Sequence, residues 1–113
     1  MIALVESLNA YQAEAAKFAK YPPEWGVLYC GLGLAEEAGE VSGKLAKAIR
    51  RCDTLENEAL RSDLKKEMGD VLWQLSQLAR ELGFDLQEVA NANLAKLHDR
   101  KERGVLVGEG DNR

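Results

Sequence analysis

The stretch Gly33–Val41, with the sequence GLAEEAGEV, carries the clearest information about the fold and function of this chain. It places Glu36, Glu37 and Glu40 so that, in a helix, Glu40 lies three or four residues from each of the other two. Like charges at that spacing destabilise a helix by roughly 0.2–0.5 kcal/mol per pair, and a glycine such as Gly39 costs about 1 kcal/mol more than alanine. The run is therefore a locally unfavourable segment inside a good helical pattern, and a bound cation would relieve its repulsion.

The helical pattern extends in both directions from this stretch. Good helix formers (Leu, Ala, Glu, Lys and Gln) are abundant in the chain, and strand formers are scarce. The predicted helices run from about Ala3 to Lys20, from about Trp25 or Gly26 to Arg51, from about Leu55 to Leu82, and from Asp85 to about Glu102 or Arg103. Four helices with short connections predict an all-α fold, a four-helix bundle-like single domain with an irregular C-terminal tail.

Breakers and capping residues mark the ends of these helices. The predicted signals are Pro22-Pro23 after the first helix, Asp53 or Thr54 as the N-cap of the third, Gly83 after the third, a capping box at Asp85 and Glu88, and Gly104 after the fourth.

Composition excludes several classes of function. The 113 residues carry a formal net charge of −4, which argues against general nucleic-acid binding. From the acid at Glu6 and the lack of a long apolar run we expect neither a signal peptide nor a segment that spans a bilayer. Cys30 and Cys52 lack the spacing of a zinc site and are expected to be free thiols in a reducing compartment. We therefore expect a soluble, cytoplasmic protein.

Two helices each present a pair of acids beside an apolar stripe. These pairs are Glu37 with Glu40 on the second helix, and Glu67 with Asp70 on the third. If the helices pack antiparallel, the four carboxylates converge at the edge of the core, where they either take up protons or bind cations. Carboxylate oxygens suit the hard ions Mg²⁺ and Mn²⁺. The alternative is that the acids form a solvated helix face without a ligand.

A di-iron bundle is a competing interpretation, but it requires Glu-x-x-His pairs. The only histidine, His98, follows Ala95 by three residues and projects away from the apolar stripe. We therefore discount iron and predict that His98 lies on the surface.

The fourth helix places Asn93 in the middle of its apolar face, flanked by Lys96 and Arg100. A buried amide must be hydrogen-bonded, so Asn93 either fixes the helix register internally or lines the cleft of the carboxylates. In the second case the two cations are placed to bind a polyanion such as a triphosphate.

Three further residues are candidates for contacts outside the core. Trp73 is predicted to pack in an oligomer interface, and Trp25 to stack on a nucleotide base. Lys44 continues the acidic stripe of the second helix and is a further candidate for substrate binding.

The two acidic blocks resemble those of the MazG-like nucleotide pyrophosphohydrolases, within the all-α NTP pyrophosphatase superfamily. The family pattern EExxE, a spacer and ExxD appears here as EEAGE (36–40) and EMGD (67–70). The flanking sequences GLAEEAGEV, LKKEMGDVLWQL (64–75) and NLAKLHDRKERG (93–104) are also similar to the family. The resemblance covers about residues 25–104.

The resemblance implies Mg²⁺-dependent hydrolysis of a nucleoside triphosphate, standard or modified, to monophosphate and pyrophosphate, with Mn²⁺ as a possible substitute. It implies that Glu37, Glu40, Glu67 and Asp70 hold the metal, while Glu36 assists as a further ligand or as the base. Asn93, Lys96 and Arg100 would contact the substrate. It also implies a homodimer or homotetramer, in which some members of the family build the site from more than one subunit.

Two alternatives remain open at this point. One is a related enzyme directed at dUTP, dCTP or phosphoribosyl-ATP, and the other is a helical interaction module that has lost the chemistry. In the tail, Asp111 and Arg113 either reach a phosphate or metal or remain disordered.

Overall fold

The computed structural model describes residues 4–113, and all the regular secondary structure in that range is helical. Its α-helices are α1 (Leu8–Ala15), α2 (Gly26–Arg50), α3 (Glu58–Glu81) and α4 (Leu86–Glu102). Short 3₁₀ turns at Ala16–Phe18 and Pro23–Trp25 lie between α1 and α2. The predicted all-α fold is confirmed. Within residues 4–113, every helix is too short or too polar to cross a bilayer.

Helix α1 is shorter than predicted at both ends. It begins after Ser7, whose Oγ accepts a hydrogen bond from the Ala10 amide at 3.1 Å and satisfies one of the free N–H groups of the first turn. The predicted start at Ala3 lies outside the described residues. The predicted end at Lys20 is wrong, because α1 ends at Ala15 and a 3₁₀ turn follows it.

The break between α2 and α3 is longer than predicted. The chain leaves α2 through Cys52, which has a left-handed φ of 57°. Neither Asp53 nor Thr54 caps α3, because Asn57 does so by accepting a hydrogen bond from the Leu60 amide at 2.9 Å. The helix therefore begins three residues later than predicted.

The signals around α4 are confirmed. Gly83 and Gly104 both adopt positive φ, at 84° and 72°, just after α3 and α4 respectively. Asp85 and Glu88 form the predicted capping box. The tail after Gly104 is irregular, as predicted.

Helices α2 and α3 form the central antiparallel pair. The contacts that join them step forward on one helix and backward on the other: Gly26 with Glu81, Gly33 with Gln74, Glu37 with Asp70, and Lys44 with Asp63. At Gly33 a Cβ atom would overlap the amide of Gln74, so glycine permits the close approach there. This register places the acidic block of α2 opposite that of α3.

A buried glutamine docks α1 on α3 and on the start of α4. Gln12 Nε2 donates to the backbone oxygens of Ser76 at 3.0 Å and Phe84 at 3.1 Å, and its Oε1 accepts from the Leu86 amide at 3.0 Å. Gln77, which is fully buried, donates to the Gln12 carbonyl at 3.4 Å. Losing one partner of such a buried bond costs about 1–3 kcal/mol, so this network fixes where α1 lies.

Trp73 belongs to the same junction. Its indole N–H donates to the Ala15 carbonyl at 3.0 Å, at the end of α1. This bond docks α1 within the chain, and an oligomer contact of the remaining Trp73 surface stays a prediction.

Much apolar surface is left uncovered around these contacts. In α4 only Leu86 and Arg100 are buried. Large apolar side chains are exposed on α2 and α4, among them Val27, Leu28, Leu32, Ile49, Leu94 and Leu97. Contiguous exposed apolar patches are characteristic of interaction sites in general.

Candidate metal centre

Three carboxylates from α2 and α3 converge in the structure. Glu37, Glu67 and Asp70 each offer one oxygen, and these three oxygens lie within 4.8 Å of one another. Glu67 and Asp70 share a face of α3 because they are three residues apart, and the antiparallel register brings Glu37 against them. Three of the four predicted metal ligands are thus together in a single chain.

The electrostatics of this cluster are unfavourable without a counter-charge. Burial raises the pKa of Glu37, and the neighbouring charges of Asp70, Glu36, Glu67 and Glu40 raise it further, in that order after burial. A group of oxygen donors with excess negative charge fits a hard divalent cation such as Mg²⁺ or Mn²⁺, which favours the ionised carboxylates. The residues present therefore suit the metal that the resemblance implies.

Glu36 and Glu40 lie at the margin of the cluster. Both are exposed, and neither belongs to the group of three converging oxygens. Both are nevertheless close enough for their charges to raise the pKa of Glu37. Each has the freedom to turn toward a ligand bound beside Glu37.

Tyr11 of α1 also borders the acids, and the sequence analysis did not identify it as a site residue. Burial raises the pKa of its phenol, and the charge of Asp70 raises it further. In the sequence, Tyr11 recurs at helical spacing with the apolar residues of the first helix, so it is predicted as a core residue. Its hydroxyl group was the only feature of the sequence that could have indicated a role at the site.

Asn93 of α4 is exposed rather than buried. It lines an open cavity of about 550 Å³ together with Phe84, Glu88, Val89, Ala92 and Lys96. The interpretation of Asn93 as a buried amide that fixes the helix register is therefore wrong for the described chain. The amide is free to contact a ligand.

Lys96 and Arg100 form ion pairs with the tail. Lys96 Nζ lies 3.2 Å and Arg100 Nη2 lies 3.0 Å from Asp111 Oδ1. Within residues 4–113 neither cation forms a salt bridge to Glu37, Glu67 or Asp70. Within a single chain these two cations are therefore paired with the tail and not directly with the acidic cluster.

The remaining candidates lie apart from each other. Trp25 immediately precedes α2 and is exposed, so its ring is available for stacking. Lys44 Nζ lies 3.9 Å from Asp63 Oδ2 of α3. His98 is exposed, as predicted.

Comparison with known proteins identifies relatives of the chain. The family model described as the MazG nucleotide pyrophosphohydrolase domain matches residues 28–105. The Gene 37 protein of Mycobacterium phage L5 is 41% identical over 112 residues, covering 94% of this chain and 98% of the phage protein. No solved structure gives a significant match. The matched region contains both acidic blocks and α4.

Proposed function

Because this chain belongs to the MazG nucleotide pyrophosphohydrolase family, we propose that it hydrolyses (deoxy)nucleoside triphosphates to the monophosphate and pyrophosphate with Mg²⁺ as cofactor. The convergence of Glu37, Glu67 and Asp70 is the observation that carries the proposal. An interaction module without chemistry has no need for three mutually repelling carboxylates at a helix interface.

Glu37, Glu40, Glu67 and Asp70 are the proposed metal ligands. A divalent cation held by these residues would neutralise charge on the triphosphate and would lower the pKa of a water bound to it. Mn²⁺ is expected to substitute, since it prefers the same oxygen donors. Glu40 completes the set by a change of its side-chain rotamer, which its exposed position on α2 permits.

Glu36 is the proposed residue that orients the attacking water. Its carboxylate accepts a hydrogen bond from the water and takes up the proton as the water oxygen bonds to the α-phosphorus. The bond from the α-phosphorus to the bridging oxygen breaks, and pyrophosphate leaves with its charge balanced by cations. Positioning and charge compensation are sufficient for this reaction, so a site built from carboxylates is adequate.

The substrate is proposed to bind through cations and an aromatic ring. Asn93, Lys96 and Arg100 contact the phosphates, Lys44 adds positive charge beside the acidic block, and Trp25 stacks on the base. Because Lys96 and Arg100 pair with the tail rather than with the carboxylates in one chain, we propose that a second copy supplies these α4 residues. The exposed apolar residues of α2 and α4 support a homodimer or homotetramer of this kind.

A panel of NTPs and dNTPs incubated with the protein and Mg²⁺ tests the proposal. We expect release of pyrophosphate and the matching monophosphate from at least one nucleotide. Glu37→Gln and Asp70→Asn should each abolish activity without loss of helix content by circular dichroism. Glu56→Gln is the matched control, because Glu56 is exposed in the α2–α3 connection. Orthophosphate as the first product, or full activity in both site variants, would contradict the proposal.

A further inference from the structure

The nine residues after the Gly104 cap, Val105–Arg113, form a closed C-terminal loop. Arg113 closes it by donating to the backbone oxygens of Val105 at 2.9 Å, Leu106 at 3.0 Å and Gly110 at 2.5 Å. A Cβ at Gly108 would lie 2.8 Å from Arg113 Cδ, so the loop wraps closely around this side chain. The Arg113 side chain thus holds the loop in shape, and the Arg113 backbone oxygen accepts a hydrogen bond from Arg103 Nη2, at the end of α4, at 2.6 Å.

The same loop places a carboxylate on two cations of α4. Asp111 Oδ1 accepts from both Lys96 Nζ and Arg100 Nη2, and the Asp111 backbone oxygen accepts a further bond from Arg100 at 2.5 Å. The Arg100 side chain is 6% exposed, whereas that of Asp111 is 80% exposed. The Asp111 carboxylate therefore lies at the surface, whereas the Arg100 guanidinium that it contacts is covered by the loop.

The geometry of this contact is that of an anion site. Two positive groups converge on a single carboxylate oxygen. A phosphate oxygen could take the same place, and a phosphate group carries more negative charge than a carboxylate. The hydrogen bonds from Arg100 and then Lys96 lower the pKa of Asp111, so the carboxylate is ionised at neutral pH. Substrate phosphate and Asp111 cannot occupy the same position on these cations.

We propose that the C-terminal loop is a built-in competitor, in which Asp111 occupies the phosphate position on Lys96 and Arg100 until an anionic ligand displaces it. The inference rests on the proposed role of these two cations in binding phosphate. Displacement of the carboxylate is open to an anion from solvent because the Asp111 side chain is 80% exposed, although the Arg100 side chain beneath it is buried. It need not disturb α4, whose end is held separately by the hydrogen bond from the Val105 amide to the Arg100 carbonyl at 2.9 Å.

Binding of inorganic pyrophosphate to the full chain, measured by titration calorimetry without nucleotide or metal, tests this competition. Asp111→Asn removes the competing charge and should tighten pyrophosphate binding at least about threefold to fivefold, because an exposed pair such as that with Lys96 already contributes this much. Glu109→Gln removes the same charge from the same loop at a residue that forms no salt bridge in the described chain, and should bind like the wild type. Arg113→Gln opens the loop and should also tighten binding.

Lys96→Gln tests whether pyrophosphate binds at the proposed position, and it should weaken pyrophosphate binding. Unchanged or weaker binding by Asp111→Asn, no effect of Lys96→Gln, or no pyrophosphate binding in any variant would each overturn the competition. The readout does not require hydrolysis. A protein without pyrophosphohydrolase activity that still shows the Asp111 effect would refute the proposed function alone, and an active enzyme without the effect would refute only the competition.

Discussion

At the scale of single residues, Tyr21 and Glu81 form the contact that fixes the turn before α2. Tyr21 Oη donates to Glu81 Oε1 at 2.5 Å, and its ring stacks on Tyr29 with 4.9 Å between the ring centres. Burial, followed by the hydrogen bond to Glu81, raises the pKa of Tyr21 above its usual value of 10.0. The bond requires the protonated phenol, so its contribution to stability depends on pH.

Tyr21→Phe should lower the free energy of unfolding by about 1.5 kcal/mol at pH 7, as expected for a hydrogen bond to a charged acceptor. Because the folded pKa lies above the unfolded one, this contribution is fully present below pH 10 and declines as the pH rises beyond it. Urea unfolding of both proteins at pH 7 and above pH 10 measures the difference, which should shrink at the higher pH.

Tyr29→Phe is the control for Tyr21→Phe, because it keeps the stacked ring and the Tyr29 hydroxyl forms no hydrogen bond within the described chain. It should unfold like the wild type at both pH values. Equal losses in the two variants, or a loss in Tyr21→Phe that does not change with pH, would contradict the assigned role of the bond.

At the scale of the elements, the glycines of α2 have different functions. Gly33 lies where the amide of Gln74 approaches from α3, and a Cβ would overlap it. Gly39, within the acidic block, has open space around the same position in the single chain. No neighbouring helix of the same chain therefore requires a glycine at position 39, and room for a ligand or a second copy is our hypothesis for its presence.

Gly39→Ala should stabilise the protein by up to about 1 kcal/mol through helix propensity alone. Gly33→Ala should lack this gain, because the buried Gln74 side chain must move, and should be less stable than Gly39→Ala by at least about 1 kcal/mol. Urea unfolding at one protein concentration compares the two variants. Equal stabilities would show that the close approach at Gly33 does not constrain the helix pair.

Sequence reasoning located the helices well but not all of their ends. The periods and breakers that define α2, α3 and α4 are local, and Gly83, Gly104 and the capping box at Asp85 were predictable for that reason. The cap at Asn57 was missed because Asp53 and Thr54 are equally good capping residues. In the structure the chain turns at Cys52, whose φ is 57°, and Asn57 is the residue that caps α3.

At the scale of the whole molecule, the single chain leaves large apolar side chains exposed to solvent. Leu32 is 70% exposed and Ile49 is 78% exposed, both on α2. Sedimentation velocity should give a mass of two or four times the 12.5 kDa chain. Leu32→Lys should shift the distribution toward the monomer without loss of helix content, because the side chain makes little contact within its own chain. A monomeric wild type at micromolar concentration would contradict the proposed assembly.

The candidate site was predictable only where it depends on local pattern. Glu37, Glu67 and Asp70 converge because helical period and antiparallel packing of neighbouring helices bring them together, and both follow from the sequence. Tyr11 was missed because its position depends on how Gln12 docks α1. The pairing of Arg100 with Asp111 was missed because an irregular loop has no period to extrapolate.

The assembly of Glu37, Glu67 and Asp70 into one divalent-cation site is tested most directly by Mn²⁺ binding, followed through the loss of the free-ion signal in electron paramagnetic resonance. The wild type should bind Mn²⁺, and Mg²⁺ should compete for the same site. Asp70→Asn should weaken binding at least about tenfold, since even outer-shell substitutions cost that much, while Glu56→Gln should leave it unchanged. Equal Mn²⁺ affinity in the wild type and Asp70→Asn would contradict the site.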